Sequence, residues 1–189
     1  MVGLEPNKHT PTEKELAAYN EAGHAIVGRL QGQYIGPILL YRGENEHWGG
    51  STEHDIFIRP FVLDLFPNEL YARFGISIPQ GGAGFSIEEK CAMKFAGVVA
   101  EKRLCEHCGV NSDEVRIGEA DILEAEELVS RLSQDQAQKV LHDAEALAWT
   151  ILKDNTCWKA VEMLAQELIQ RGRLDQEYIH TLVSHVLVS

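Results

Sequence analysis

The chain has few of the features that mark several classes of protein. Only 17 of its 189 residues are Lys or Arg, against 29 Asp or Glu, and its net charge is −12. Nucleic acids and anionic membrane surfaces are bound by clustered basic residues, so we expect neither as a partner. The chain also lacks an apolar run of about 18 residues and a signal-peptide pattern. We therefore expect a cytoplasmic protein with no direct membrane insertion.

Cysteine is scarce, and its spacing is not that of a disulfide framework. The four cysteines are Cys91, Cys105, Cys108 and Cys157. This usage is typical of a reducing compartment, and we expect free thiols. Cys105 and Cys108 form a C-x-x-C pair around His107, which leaves a thiol or metal-sensing role open. One such pair supplies too few ligands for a structural zinc site by itself.

A nucleotide-binding motif is also missing. The glycine-rich run at 81–84 is not followed by Lys-Ser or Lys-Thr, and no G-x-x-x-x-G-K-[ST] pattern occurs anywhere. Such a loop with its lysine is what holds the phosphates of ATP. We therefore predict no ATP site in this chain.

What is present is enough apolar sequence for one globular domain. Apolar residues make up 44% of the chain and charged residues 24%, which suits a single buried core at this length. Residues 1–11 show no periodicity, so we predict a flexible N-terminal lead followed by one domain over 12–189.

Capping boxes mark the start of two helices. Thr12 with Glu15 predicts a helix that begins near residue 12 and ends near Gly32. Ser86 with Glu89 predicts another, which ends at about Cys105.

Extended segments lie between these helices. The pattern over 34–41 and 48–54 predicts two strands of a small hairpin. For residues 55–85 we predict a short helix that covers the core and then a flexible loop.

The last third has helical periodicity throughout. Apolar positions predict helices over 136–153 and 157–169, which we expect to form an antiparallel pair joined near 154–156. Asp175 is then expected to cap a final short helix. The predicted fold class is mainly α (α+β), with a small β-sheet.

The first predicted helix carries a modified zinc-protease motif. In H-E-x-x-H, two histidines four residues apart hold zinc on one helical face, and the glutamate activates the metal-bound water. Here Glu21 has the position of the general base and His24 that of the second ligand, but Asn20 replaces the first histidine. An amide oxygen is a weak ligand that suits calcium or magnesium better than zinc.

Three segments resemble the peptidase domain of FtsH-type ATP-dependent zinc proteases. Residues 17–28 are similar to its A-x-H-E-A-G-H-A-x-x-G opening. The helix through Gly97 is similar to its L-L-G-G-R-A-A-E-E segment, with Val98 in place of the arginine. Residues 116–125 are similar to G-A-x-N-D-x-x-x-A, whose aspartate is the third zinc ligand and corresponds to Asp121. The resemblance spans nearly all of 12–185 and is weakest over 55–85.

The resemblance implies a helical FtsH-type zinc peptidase domain with a small sheet beside the active-site helix. It implies that Glu21 is the catalytic base and that His24, Asp121 and the position of Asn20 form the metal site. The edge strand of the family's sheet is thought to pair with extended substrate, so an extended or unfolded polypeptide is the implied partner. Family members are membrane-anchored hexamers with an ATPase, which implies a homo-oligomer or an active FtsH-type homologue as further partners.

The substitution at Asn20 decides the functional expectation. Mutation of a residue that only supports a metal ligand typically weakens metal binding by roughly 10-fold to 100-fold. Loss of an imidazole that binds zinc directly should weaken it more. We therefore expect a catalytically impaired metallopeptidase, a pseudoenzyme with a retained peptide-binding groove, with zinc as cofactor only if the site functions. Two alternatives remain open. One is an active zinc metalloendopeptidase in which Asn20, His47, His54 or water completes the ligand shell, and the other is a helical thiol or metal-sensing domain that uses Cys105 and Cys108.

Overall fold

The chain is mainly helical, with a small three-stranded antiparallel sheet. The structure, a computed structural model, describes residues 9–54, 58–60, 65–114 and 118–188. Its helices are α1 (Glu13–Leu30), α2 (Asn68–Phe74), α3 (Ile87–Cys108), α4 (Glu119–Val129), α5 (Gln134–Lys153), α6 (Asn155–Arg171) and α7 (Gln176–Val188). Its strands are β1 (Ile35–Arg42), β2 (Trp48–His54) and β3 (Arg173–Leu174). Within these residues, no helix combines the length and the apolar character needed to cross a bilayer.

Most of the predicted flexible lead, 1–11, lies outside the described residues, of which 9–11 are the first. Pro11 is already buried against the domain. In the predicted loop region 55–85, residues 55–57 and 61–64 lie outside the described residues. The short helix predicted there is α2, which buries Leu70, Tyr71 and Phe74.

Both predicted capping boxes are present at helix starts. The Thr12 hydroxyl accepts from the Glu15 backbone N–H, and the Glu15 carboxylate accepts from the Thr12 backbone N–H. Ser86 and Glu89 make the same reciprocal pair at the start of α3. These bonds satisfy N–H groups that have no partner inside the helix, which explains why the helices begin where they do. The end predicted for α3 was one turn too early, since the helix continues to Cys108.

Helix α1 is the central element of the core. It is buried along most of its length and packs against α3, α6 and both long strands. At Gly23 the backbone of α3 comes so close that a Cβ atom would lie 2.5 Å from the Ala96 carbonyl oxygen. The glycine is therefore what allows α1 and α3 to cross in contact.

The sheet contains the predicted hairpin and one further strand. Strand β1 pairs antiparallel with β2 and, on its other side, with the two-residue β3, in the order β2-β1-β3. Sequence analysis missed β3 because two residues are too few to show a period of two. Strand β1 is therefore central, and β2 is an edge strand of the described sheet.

The helices of the last third are confirmed, although α5 and α6 each begin two residues earlier than predicted. We expected α5 and α6 to pack mainly against each other, but each has its main contact with another helix. Helix α5 packs mainly on α3, and α6 packs mainly on α1. Each apolar face is thus covered by one of the two central helices, which a pattern of hydrophobic positions cannot specify. Helix α7 follows Asp175 as predicted.

Candidate functional site

The modified motif lies on a buried part of α1, where Asn20 and His24 are one turn apart. Positions four residues apart lie on the same face of a helix. The His24 ring is 6% exposed, and its Nδ1 lies 2.7 Å from the Met93 carbonyl oxygen. A carbonyl only accepts hydrogen bonds, so Nδ1 carries the proton that is donated to it. This bond orients Nε2 toward the opposite wall.

That opposite wall is the first turn of α4, which carries Asp121. Asp121 Oδ2 lies 3.4 Å from His24 Nε2 and accepts from Asn20 Nδ2 at 3.1 Å. The structure therefore brings together three predicted site residues that come from two segments about a hundred residues apart. Sequence analysis inferred this convergence from the resemblance alone, because no local spacing connects residue 24 with residue 121.

The His24–Asp121 pair is an ion pair in a buried environment. Burial by itself would lower the pKa of His24. The hydrogen bond and the charge of Asp121 together have the larger, opposite effect, so the pKa of His24 is raised to about 9. Burial raises the pKa of Asp121, and His24 more than compensates, so that the pKa lies below its ordinary value. Both groups are thus charged at neutral pH, and each stabilises the charged form of the other.

Helix α3 forms the floor of the site at Gly97. A Cβ atom at this position would lie 2.5 Å from Asn20 Nδ2 and 2.6 Å from His24 Nε2. Any larger residue would push both side chains out of their positions. The small residues of α3 therefore create the recess in which the motif of α1 meets Asp121.

Glu21, three residues before His24 on α1, points toward β2. Its carboxylate is buried and accepts a 2.6 Å hydrogen bond from the Thr52 hydroxyl. A Cβ atom at Gly50 would overlap this carboxylate, so the strand backbone passes directly over it. Burial raises the pKa of Glu21, and His24 and Thr52 offset only part of that effect.

Glu101 is a site residue that sequence analysis did not select. It lies on α3, one turn after Gly97, and is 6% exposed. Burial and the nearby charge of Asp121 raise the pKa of Glu101 to about 8, while Asn20 and the Gly118 N–H act against them. The sequence could have identified Glu101 by its spacing from Gly97, because residues 97 and 101 face the same side of the helix.

These groups line one cleft of about 620 Å³ between α1, β2, α3 and α4. The cleft-lining residues include Asn20, Glu21, His24, Trp48, Gly50, Thr52, His54, Lys94, Glu101 and Asp121. Strand β2 lines it along most of its length. The cleft thus combines the modified motif with an edge strand of the sheet.

The two histidines considered as substitute ligands lie at different depths. His47 is exposed at the rim, where its Nδ1 lies 2.8 Å from a carboxylate oxygen of Glu13. His54 is half-buried in the cleft wall, and its Nδ1 donates to the Thr52 carbonyl at 2.8 Å. Burial lowers the pKa of His54, which keeps its imidazole neutral at pH 7. His54 therefore has the protonation state that a metal ligand needs.

The C-x-x-C pair lies apart from this cleft, in the last turns of α3. Cys105 and Cys108 are both free and buried, and burial raises the pKa of both thiols. Reactive and metal-binding cysteines need accessible thiolates. The surroundings of this pair therefore favour a packing role.

The spacing around Asp121 is compatible with a bound zinc ion, but the chemistry of the donors is not. Two ligands about 2.1 Å from one tetrahedral ion lie roughly 3.4 Å apart, similar to the distances from Asp121 to Asn20 and His24. However, the Asn20 amide presents an N–H donor to Asp121. In the described parts of the chain, no three His, Cys, Asp or Glu side chains form a group that could hold a metal. The residues do not fit zinc.

Comparisons with known proteins add no assignment, since no family model and no curated protein matches the chain.

Proposed function

We propose that this protein is an FtsH-type peptidase-like domain that binds extended polypeptide and is impaired in hydrolysis. The proposal joins the sequence resemblance of the motif segments to the position of β2. The single observation that carries it is that an edge strand lines the same cleft as Glu21, His24 and Asp121.

Edge strands suit the binding of extended chains. Within the described residues, β2 is paired in the sheet only with β1, and a further strand could add to its other edge. On that edge the Trp48 N–H donates to a Glu13 oxygen at 3.4 Å and the Thr52 carbonyl accepts from His54, so a strand that paired along the whole edge would replace these two side-chain hydrogen bonds. Main-chain pairing tolerates many sequences, while the cleft provides space for side chains. A polypeptide added to β2 would run past Glu21 and the His24–Asp121 pair.

Hydrolysis is expected to be impaired because no group in the cleft activates water strongly. One carboxylate oxygen of Glu21 is occupied by the 2.6 Å hydrogen bond from the Thr52 hydroxyl. His24 is protonated in its pair with Asp121, so its Nε2 has no lone pair to offer. Asn20 contributes an uncharged amide in place of an imidazole.

Peptide binding is tested by fluorescence anisotropy with a labelled unstructured peptide in the presence of EDTA. We expect saturable binding that weakens when alternate backbone nitrogens of the peptide are N-methylated, because methylation removes the hydrogen-bond donors of one edge. The unmethylated peptide of the same sequence is the matched control. Equal affinity for both peptides, or binding of neither, would contradict the proposal.

An active metallopeptidase is the second candidate, and the near-tetrahedral spacing around Asp121 is the observation in its favour. Elemental analysis of the purified protein should find zinc well below one ion per chain, with no chelator-sensitive cleavage of unfolded casein. Asn20→His should gain zinc, because the Gly97 recess, His24 and Asp121 are all in place, and Asn20→Ala is the control. Stoichiometric zinc and EDTA-sensitive cleavage in the unmodified protein would establish the enzyme instead.

A further inference from the structure

The outer edge of β2 has main-chain groups whose directions are fixed by the sheet. Leu40 lies opposite Gly50 in β1, and its N–H donates to the Gly172 carbonyl at 2.8 Å, on the side of β1 away from β2. In an antiparallel pair, two residues directly opposite each other exchange both of their main-chain hydrogen bonds or neither. The N–H and C=O groups of Gly50 therefore point away from β1, on the edge that lines the cleft. The same alternation applies to Trp48 and Thr52, two residues to either side.

Side chains of the protein itself close this edge at both ends. The His54 ring donates to the Thr52 carbonyl at 2.8 Å, and the Trp48 N–H donates to Glu13 at 3.4 Å. Between these two closed positions lie the Trp48 carbonyl, both main-chain groups of Gly50 and the Thr52 N–H. Within the described residues, no further strand pairs with this part of the edge. Closing groups of this kind limit how much of an edge strand another chain can use.

We propose that His54 sets the register of the polypeptide bound at β2, because it closes the edge at the Thr52 carbonyl. The inference rests on the proposed function and names the segment that the edge holds. A strand that adds antiparallel, the more stable arrangement, places its central residue opposite Gly50 and exchanges two hydrogen bonds with it. The residue two positions later donates to the Trp48 carbonyl, and the residue two positions earlier accepts from the Thr52 N–H.

This register gives the N–H groups of a five-residue segment unequal roles. The N–H groups of the third and fifth residues donate to β2. The N–H of the first residue points at the Thr52 carbonyl, where the His54 ring already lies, and those of the second and fourth residues point away from β2. Proline or an N-methylated residue lacks this donor, so it is tolerated at the first, second and fourth positions. The ligand class is thus an extended segment with two N–H donors two residues apart.

Gly50 also determines where the segment lies in the site. A Cβ atom at Gly50 would overlap the Glu21 carboxylate, so the backbone of β2 lies directly against this acid. Residues that form a hydrogen-bonded antiparallel pair have Cα atoms roughly 5.5 Å apart. The central residue of the segment therefore passes close to Glu21, in the cleft that His24 and Asp121 also line. Glycine inside a strand often marks such a close approach of a ligand or another backbone.

The test uses three pentapeptides of one sequence that differ only in their N–H groups. Each has an acetyl group at its N-terminus and a dimethylamide at its C-terminus, and every backbone nitrogen not named here is methylated. Peptide A keeps the N–H of the third and fifth residues, peptide B keeps those of the first, third and fifth, and peptide C keeps that of the third alone. Affinities are measured in EDTA by displacement of the labelled unstructured peptide, followed by anisotropy.

For the wild type we expect peptides A and B to bind equally, and peptide C to bind roughly threefold to tenfold more weakly, as for one lost hydrogen bond. His54→Ala removes the ring and its donor, which opens the Thr52 carbonyl to the first N–H of peptide B. Peptide B should then bind roughly threefold to tenfold more tightly than peptide A. His54→Asn is the matched control, since its amide nitrogen replaces Nδ1 as a donor and should keep A and B equal. Circular dichroism establishes that both variants are folded.

The outcomes separate this inference from the proposed function. Tighter binding of peptide B than of peptide A by the wild type would overturn the role of His54, as would equal binding of the two by a folded His54→Ala protein. The same gain in His54→Asn as in His54→Ala would also overturn it. If the labelled peptide binds but none of the pentapeptides displaces it, the register is wrong and peptide binding stands. If the labelled peptide does not bind, the proposed function fails and the inference fails with it.

Discussion

Asn20 places an amide in the cleft where a zinc-protease motif has a metal-binding imidazole. Its amide donates to Asp121 at 3.1 Å and also lies beside Glu101. An N–H group between two acids reduces their repulsion without a metal ion. At the scale of single residues, the cleft is thus organised by hydrogen bonds and by the His24–Asp121 ion pair.

The buried acid Glu101 should make stability depend on pH. Its folded-state pKa of about 8 lies above the ordinary value of 4.5, so the folded chain keeps a proton that the unfolded chain releases. This contribution to stability is present in full below pH 4.5 and is lost as pH rises through 8, by up to about 5 kcal/mol. Urea unfolding should therefore show that Glu101→Gln is more stable than the wild type at pH 8 and similar to it at pH 4.5.

Glu126→Gln is the control for that series, since an exposed acid should leave the pH profile unchanged. His24 acts in the same direction between pH 6.5 and about 9, so the variant will keep part of the alkaline decline. An unchanged profile in Glu101→Gln would show that this acid titrates normally.

The hydrogen bond from Thr52 to Glu21 allows a second prediction at this scale. Thr52→Val keeps the side-chain shape but leaves the buried carboxylate without its 2.6 Å donor. We expect a loss of about 1.5–3 kcal/mol in unfolding free energy, as for a hydrogen bond to a charged group. Thr52→Ser keeps the hydroxyl and should lose much less. The prediction is wrong if valine and serine are equally tolerated in denaturant titrations.

Among the elements, the crossing of α1 and α3 determines the shape of the cleft. Both helices are long and start at capping boxes, yet their relative position depends on the contact between Gly23 and the Ala96 backbone. Close approach of the two backbones places Gly97 beneath Asn20 and His24. The floor of the site is therefore a consequence of helix packing.

Two glycines of α1 provide a matched test of this crossing. Gly23→Ala would place Cβ 2.5 Å from a backbone oxygen, whereas Gly28→Ala would place it 2.7 Å from the end of the Ile35 side chain, which can rotate away. Alanine favours a helix by about 1 kcal/mol over glycine, but a backbone overlap should outweigh this gain. We expect Gly23→Ala to be destabilised by about 1–3 kcal/mol in urea unfolding and Gly28→Ala to be much less affected. Similar stability of both variants would argue against a tight crossing.

For the whole molecule, the packing of α1 against α3, α6 and the hairpin predicts cooperative unfolding. The three tryptophans report on separate parts, with Trp48 on β2, Trp149 on α5 and Trp158 on α6. Variants that keep one tryptophan each, with phenylalanine at the other two positions, should show the same urea midpoint by fluorescence as by circular dichroism. An earlier transition for Trp48 alone would show that the hairpin, and with it the edge strand of the cleft, opens as a separate unit.

The sequence by itself determined most of the local structure. The capping boxes at Thr12 and Ser86, the alternation of the hairpin and the periodicity of the last third depend on neighbours within a few residues, so the chain reveals them directly. The resemblance of three segments also indicated that Asn20, Glu21, His24 and Asp121 belong to one site. The structure places these four side chains in one cleft, while the role of each stays a proposal.

Only the tertiary structure decided how the elements meet. Strand β3 exists because β1 offers it a partner, and α5 and α6 separate because each finds a different central helix to cover. Glu101 becomes a candidate site residue through its burial in the wall of the cleft near Asp121, which cannot be read from its position in a helix. Burial, pKa and the close approach of α1 to α3 depend on contacts between distant residues, and these form only when the chain packs into a core.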